Sequence, residues 1–471
     1  MTNILLMRQE IILISIIMIL LVATIYKSKK DKGGVNSLAL VLVAILTIVG
    51  FLPSDTGSLF GGMYQLTETT ILMKNVLNIG VFIIMLQSSS WLNSENQREN
   101  STEFLIILLS TLLGMNYMVS AGDFLMLFLG IELATIPTAI LAAYEVKKLK
   151  SVEAGIKLVL LGALSTGISL MGVTLLYAAN GSIYFEILSD TIVNSNLNIL
   201  GMLFFFGGLA FKISLVPFHM WTADVYEGAP IPVASYLSVI SKGAAVFVLI
   251  TILYKVFPVL QESWTMAVYI VAIITMTVGN IFAIRQKNMK RFLAFSSIAQ
   301  AGFILLGIIA GSAMGMATVI YFVLVYIFSN LGAFGVATAI HHATGKEEIA
   351  DYNGLYKTNP KLSLLMMLAV FSLAGIPPLA GFFGKFFLFA AAASQGYYWL
   401  VIIAVLNTII SLYYYLLIVK AMFISPNDNA IAYFKSDNYM KLGLALAAVG
   451  IIVIGLVGGV YDWIFTLSWG V

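Results

Sequence analysis

Residues 209–230 read LAFKISLVPFHMWTADVYEGAP. Lys212 is a lone charge in an apolar run, and Pro217 interrupts that run five residues later. A charged side chain at membrane depth costs roughly 2.5–3.5 kcal/mol even on a lenient scale. A proline inside a helix withholds the amide that would bond the carbonyl four residues back. The stretch is therefore either an ordinary loop or the working part of the molecule, and composition decides. The 471 residues are 60% hydrophobic and 10% charged, whereas a soluble domain is about one quarter charged. Apolar runs of about 20 residues recur along the whole length, each long enough to cross the ~30 Å hydrocarbon core as a helix. They are continuous, not alternating as in a transmembrane barrel. The expected fold is an all-α polytopic membrane protein, with the quoted stretch inside a span.

Other classes are excluded by what is missing. The chain has no cysteine, hence no disulfide and no thiolate-held iron–sulfur cluster. Three histidines, His219, His341 and His342, offer little for haem. Neither a dinucleotide-binding glycine fingerprint nor a phosphate-binding loop is present, and a net charge of +3 in so apolar a chain gives no reason to expect nucleic acid. The first apolar run lacks a basic leader and a cleavage site, so it reads as a retained helix.

Fourteen helices are expected, near 9–26, 35–52, 70–91, 104–119, 122–144, 152–179, 198–226, 232–256, 264–284, 291–310, 314–341, 361–395, 397–422 and 440–466. The seventh and twelfth contain prolines and read as discontinuous. Connections after odd-numbered helices hold eighteen basic residues, from Lys27, Lys29, Lys30 and Lys32 through Lys441, against only Arg8 and Lys255 on the opposite side. The positive-inside rule then places the odd connections in the cytoplasm and both termini outside it.

Five lysines fall inside predicted spans: Lys74, Lys157, Lys212, Lys242 and Lys385. Lys74 reads as a side chain snorkelling to the interface. Among acids only Glu132 is clearly mid-span. An intramembrane ionisable group is a functional candidate by default, and the prolines sharpen this. Pro137 frees the carbonyl of Leu133, Pro217 that of Ile213, and Pro377 and Pro378 those of Leu373 and Ala374. Unpaired backbone at this depth survives only against protein or a water-filled cavity. Buried amines beside opened, hydrated backbone suit proton transfer. His219, just after a break, either relays protons or bonds a neighbour. His341 and His342 read as a solvated cap, Asp224 and Glu227 as turn chemistry, and Tyr413–Tyr415 as packing.

Lys212 and Lys385 lie 173 positions apart, and the same shift carries Lys157 onto Asn330. Helices 4–8 and 9–13 thus read as two five-helix repeats, inverted because five is odd, a transporter signature. The expected division is 1–103 (three peripheral helices), 104–256, 264–422, and 423–471 (helix 14).

The stretches FKISLVPFHMWTADVYEGAPIP, LFLGIELATIP, NMKRFLAFSSIAQAG and SLAGIPPLAGFFGKF resemble the antiporter-like subunits of respiratory complex I, over most of the chain. Among these the N type is most similar: no long lateral helix follows helix 14, and Lys385 stands where the M type usually has glutamate. Ala223 departs from the family, which often has proline there. The resemblance implies a proton-translocating subunit of an NADH:quinone oxidoreductase in a bacterial inner membrane, with subunits M and K as neighbours. It implies that Glu132, Lys157, Lys212, Lys242 and Lys385 carry protons, and that FMN, iron–sulfur clusters and quinone belong to partner subunits. An Mrp-type cation/proton antiporter subunit is the competing reading. A sodium site would favour several deep oxygen ligands, and one deep glutamate among four lysines favours protons. The expected mechanism has Glu132 hold Lys212 protonated until a neighbouring subunit weakens the pair, releasing the proton through Lys242 to Lys385.

Overall fold

The computed structural model describes residues 4–26, 33–95, 97–427 and 429–468; the basic cluster Lys27, Lys29, Lys30 and Lys32 lies outside them. Among the described residues, twelve helices are long and apolar enough to cross a membrane. The shorter helix Gly34–Gly50, and the pair Pro360–Ala374 and Ala380–Ser394 joined end to end, complete the expected fourteen spans. The chain is a multi-pass helical membrane protein.

One element departs from an all-α reading. Between the second and third spans, Gly57–Leu59 and Tyr64–Leu66 pair antiparallel, with Leu59 opposite Tyr64. The turn is made by Phe60, Gly61 and Gly62, all at positive φ, a conformation that glycine adopts without a steric cost. The hairpin packs its Tyr64 inward against the first and third spans.

The third, eighth, tenth and eleventh spans, Glu68–Leu92, Ile231–Lys255, Met289–Ile309 and Ala313–Thr344, form the centre and are buried along most of their length. The first, sixth, ninth and thirteenth keep one face outward.

Of the breaks expected at Pro137, Pro217 and Pro377–Pro378, that at Pro137 is not made, because its helix Phe124–Ala142 runs through; the other two are present and built alike. The first half of the seventh span, Asn196–Ile213, ends on Ser214 in the left-handed region, and the first half of the twelfth, Pro360–Ala374, ends on Gly375 in the same region. Ser214 N–H bonds Phe211 O and Leu215 N–H bonds Ala210 O; Gly375 N–H bonds Ser372 O and Ile376 N–H bonds Phe371 O. These equivalent positions are 161 residues apart. The sixth and eleventh spans are each 32 residues long and end on left-handed Gly181 and Gly345, 164 apart. Side-chain caps Asp123 and Asn288 open the fifth and tenth. The repeat therefore exists, but with a spacing of 161 to 165, not 173. Aligning lysine with lysine set the wrong register, because the two amines lie on opposite sides of their breaks: Lys212 precedes Ser214, and Lys385 follows Gly375. In the backbone register Lys212 corresponds to Leu373, and Lys385 to Asp224.

Candidate functional site

The fifth span, Phe124–Ala142, stays continuous through Pro137. A Cβ on Gly114 would lie 2.7 Å from the Leu133 carbonyl carbon and 2.5 Å from the Ala134 nitrogen. Only glycine lets the fourth span press its backbone against the stretch whose carbonyl Pro137 leaves unpaired. Glu132 is half-buried, on the stripe of this helix that carries the outward-facing Leu125, Leu129, Ile136 and Ile140. One turn on, Thr135 Oγ bonds Ile131 O and accepts a hydrogen bond from Lys212 Nζ. Among the described residues the Lys212 bond goes to the threonine and no ion pair joins it to Glu132. A direct Glu132–Lys212 pair is therefore not how this end of the site is built. Lys212 lines a small recess with Phe128, Ser165 and Ser169.

Lys242 follows a π-helical turn, Leu237–Ser241, a distortion frequent at functional sites. Its side chain is 2% exposed and Nζ donates to Ser297 O at 3.0 Å and Ser297 Oγ at 2.9 Å. Ser238, in that turn, meets Tyr326 OH at 3.2 Å, and both accept hydrogen bonds from Asn330.

Lys385 sits five residues into Ala380–Ser394 and is 3% exposed. Nζ donates to Ala374 O at 3.1 Å, one of the two carbonyls freed by the prolines. The other, Leu373 O, accepts from Gln300 Nε2 at 3.0 Å. The ammonium also lies 4.5 Å from the centre of the Phe303 ring. Gln300 further reaches Tyr415 OH, which bonds Ser296 at 2.6 Å. Ser296, Ser297 and Gln300 are neighbours on the tenth span, so one face of that helix carries polar groups from Lys242 to Lys385.

Sequence reasoning missed Thr135, Ser297, Gln300 and Tyr415. Ser297 and Gln300 stood in the quoted stretch NMKRFLAFSSIAQAG, where FSSIAQ places three polar groups within one turn of an apolar helix. Tyr415 is not mere packing.

The remaining candidates sit elsewhere. Lys157 is 36% exposed and pairs with Glu153 and Asp224, each at 2.7 Å. Asp224 continues to Arg291, Arg291 to Glu227, and Glu227 to Lys150, each at 2.8 Å. Three acids and three bases alternate across the sixth, seventh and tenth spans, a sign-matched ladder that the count of deep charges had obscured. Asp224 and Glu227 belong to the helix Met220–Gly228, not to a turn. His219 caps that helix half-buried, with Nδ1 unpartnered. His341 is no solvated cap: its Nδ1 lies 3.3 Å from Glu347, which pairs with Lys290 at 3.0 Å. Lys74 does not snorkel. It is wholly buried, with Nζ 2.5 Å from Glu10 and 2.9 Å from Tyr64 OH.

A family of membrane proteins described as NADH:quinone oxidoreductase/Mrp antiporter, TM, matches residues 121–411, which hold both breaks and all five candidate charges. NADH-quinone oxidoreductase subunit N of Phocaeicola vulgatus is 49% identical over 462 residues, covering 98% of each chain. The chain belongs to the subunit N family of NADH-quinone oxidoreductases. The subunit N of Azobacteroides pseudotrichonymphae is 50% identical over 474 residues, covering 100% of this chain and 99% of its own. A chain of respiratory complex I from Thermus thermophilus superposes with a TM-score of 0.81 at 27% identity, covering 96% of this chain and 98% of that one. A chain of the Mrp complex from Dietzia superposes at 0.82 with 20% identity, over 99% and 97%, a likeness of fold alone. Complex I membrane subunits are thus the setting of this chain, and the Mrp reading loses ground to relatives at half identity.

Proposed function

We propose that this subunit moves protons across the membrane when partner subunits of an NADH-quinone oxidoreductase transfer electrons. The observation that carries the reading is the environment of Lys242 and Lys385. Each is an amine sunk among apolar helices whose hydrogen bonds go to carbonyl and hydroxyl oxygens, and among the described residues no carboxylate pairs with it. A purely structural buried lysine takes an acid, as Lys74 does with Glu10.

In this account Glu132 sets the protonation of Lys212 across Thr135. Its half-buried carboxylate lies on an outward stripe, which lipid would penalise, so a neighbouring subunit covers it and controls its field. Subunits M and K are the proposed neighbours. Weakening that field releases the Lys212 proton toward Lys242 and on to Lys385 along the polar face of the tenth span. Protein hydrogen bonds do not join Lys212 to Lys242 among the described residues. Buried Ser214 Oγ, Asn330 Oδ1 and Gln300 Oε1 have no protein partner, and buried polar groups of this kind are usually satisfied by ordered water. His219 borders the seventh break as a candidate relay, and Lys157 ties the ladder to the same half-helix. Moving one charge against 100 mV costs roughly 2.3 kcal/mol, and a change of about two pKa units, near 2.7 kcal/mol, covers it.

The division into three N-terminal spans, two five-span units and a last span is part of the proposal, as are an inner-membrane location with both termini outside the cytoplasm, and FMN, iron–sulfur clusters and quinone in partner subunits. The test is proton pumping by the assembled complex carrying Lys212→Ala or Glu132→Gln. Both variants are expected to depress the number of protons moved per NADH; unchanged stoichiometry in both overturns the reading.

A further inference from the structure

A groove lies away from the lysine track, between Pro360–Ala374 and Asn438–Leu456. Its volume is about 590 Å³. Three lysines from three elements, Lys361, Lys435 and Lys441, stand at its rim, and Leu362, Leu365, Leu444 and Ala448 form its wall. All three lysines are exposed, and the ion pairs among the described residues leave them out. The nearby acid Asp437 is engaged elsewhere: its Oδ1 accepts from Met440 N–H and from Ser90 Oγ.

The rim is held in place. Asn359 is buried, and its Nδ2 donates to Ile431 O and Ala432 O while its Oδ1 accepts from Phe434 N–H. One side chain thus fastens the extended segment carrying Lys435 to the start of the helix carrying Lys361. Exposed Tyr433 stands at the same level, where aromatic side chains mark the membrane–water boundary.

We propose that this groove binds one anionic diacyl phospholipid, its phosphate between the three lysines and the upper parts of its acyl chains against the leucine and alanine wall. Basic pockets between transmembrane helices at the positive face favour anionic headgroups. A volume of this size is that of a small-molecule site, whereas a partner helix is 10–12 Å across and would have to bring acids to meet the lysines. The inference is independent of the proton path.

The experiment uses the assembled complex in nanodiscs containing a photoactivatable phosphatidylglycerol, with labelled peptides located by mass spectrometry. Labelling is expected on peptides 361–366 and 433–448, competed by excess phosphatidylglycerol but not by phosphatidylcholine or by glycerol phosphate. Each single Lys→Gln substitution at these positions should weaken competition about fivefold, the equivalent of about 1 kcal/mol per cation. Ala448→Trp, which fills the wall and keeps the lysines, should abolish labelling. Equal labelling by a phosphatidylcholine analogue, competition by glycerol phosphate alone, full labelling in the triple Gln variant, or cross-linking of the groove to another subunit would each overturn the proposal.

Discussion

Lys385 reaches back across the broken twelfth span to the carbonyl of Ala374, at 3.1 Å. The break is thus what gives the amine a polar seat, and the seat depends on Gly375. That residue has φ of +87°, and a Cβ added to it would lie 3.1 Å from Lys385 Cδ. A left-handed L-residue costs roughly 1–2 kcal/mol. Gly375→Ala should therefore lower the thermal stability of the complex by about that amount and reduce protons moved per NADH more than it reduces NADH oxidation. Equal losses in the two activities would show that the seat serves folding alone.

The Glu10–Lys74 pair predicts a non-additive pattern. Removing one member of a buried ion pair costs roughly 3–5 kcal/mol, while replacing both is often neutral. Lys74→Met alone should impair assembly severely, and Glu10→Gln combined with Lys74→Met should restore much of it. Assembly is read by native gel and thermal melting. Additive losses would contradict the pairing.

The cluster around Glu347, past the end of the eleventh span, gives a pH dependence. Burial raises the Glu347 carboxyl, but the Lys290 ammonium, the Asn288 amide and His341 together more than offset this and leave it below its usual range. A depressed carboxyl stabilises the fold above its unfolded value near 4.3, and that contribution fades as pH falls through the lower folded value. Melting temperature should therefore drop more steeply below about pH 4.3 in the wild type than in Glu347→Gln. Parallel curves would remove the pair from the account.

Sidedness is open to a clean measurement because the chain has no cysteine. Ser58→Cys and Thr344→Cys are both exposed positions. An impermeant maleimide should label Thr344→Cys from the cytoplasmic side and Ser58→Cys from the other. The reverse result would invert the charge-based orientation.

Much of this architecture was legible in the residues. Fourteen spans could be counted because each is a continuous apolar run and basic residues alternate between connections. The breaks at Pro217 and Pro377–Pro378 could be placed because proline removes a specific hydrogen bond. The same rule marks the carbonyl of Ala374 as free, and Lys385 is what it holds. What failed were contacts between segments far apart in sequence. Lys74 looked like a snorkelling side chain because Glu10, 64 positions away, gives no local sign that it turns inward. Lys157 looked deep because its distance along the helix says nothing about which face it occupies. The repeat register went astray because a chemical likeness between Lys212 and Lys385 was easier to see than a backbone likeness between Ser214 and Gly375. Thr135, which intervenes between Glu132 and Lys212, is an ordinary residue in a helix until the seventh span lies against it.

The central claim is that buried amines without acids carry the proton. Lys242→Gln keeps a hydrogen-bonding end on a side chain one atom shorter but cannot take up a charge. In proteoliposomes holding the assembled complex, the ratio of protons pumped to NADH oxidised should fall well below that of the wild type while the complex remains intact. A wild-type ratio in that variant would contradict the account.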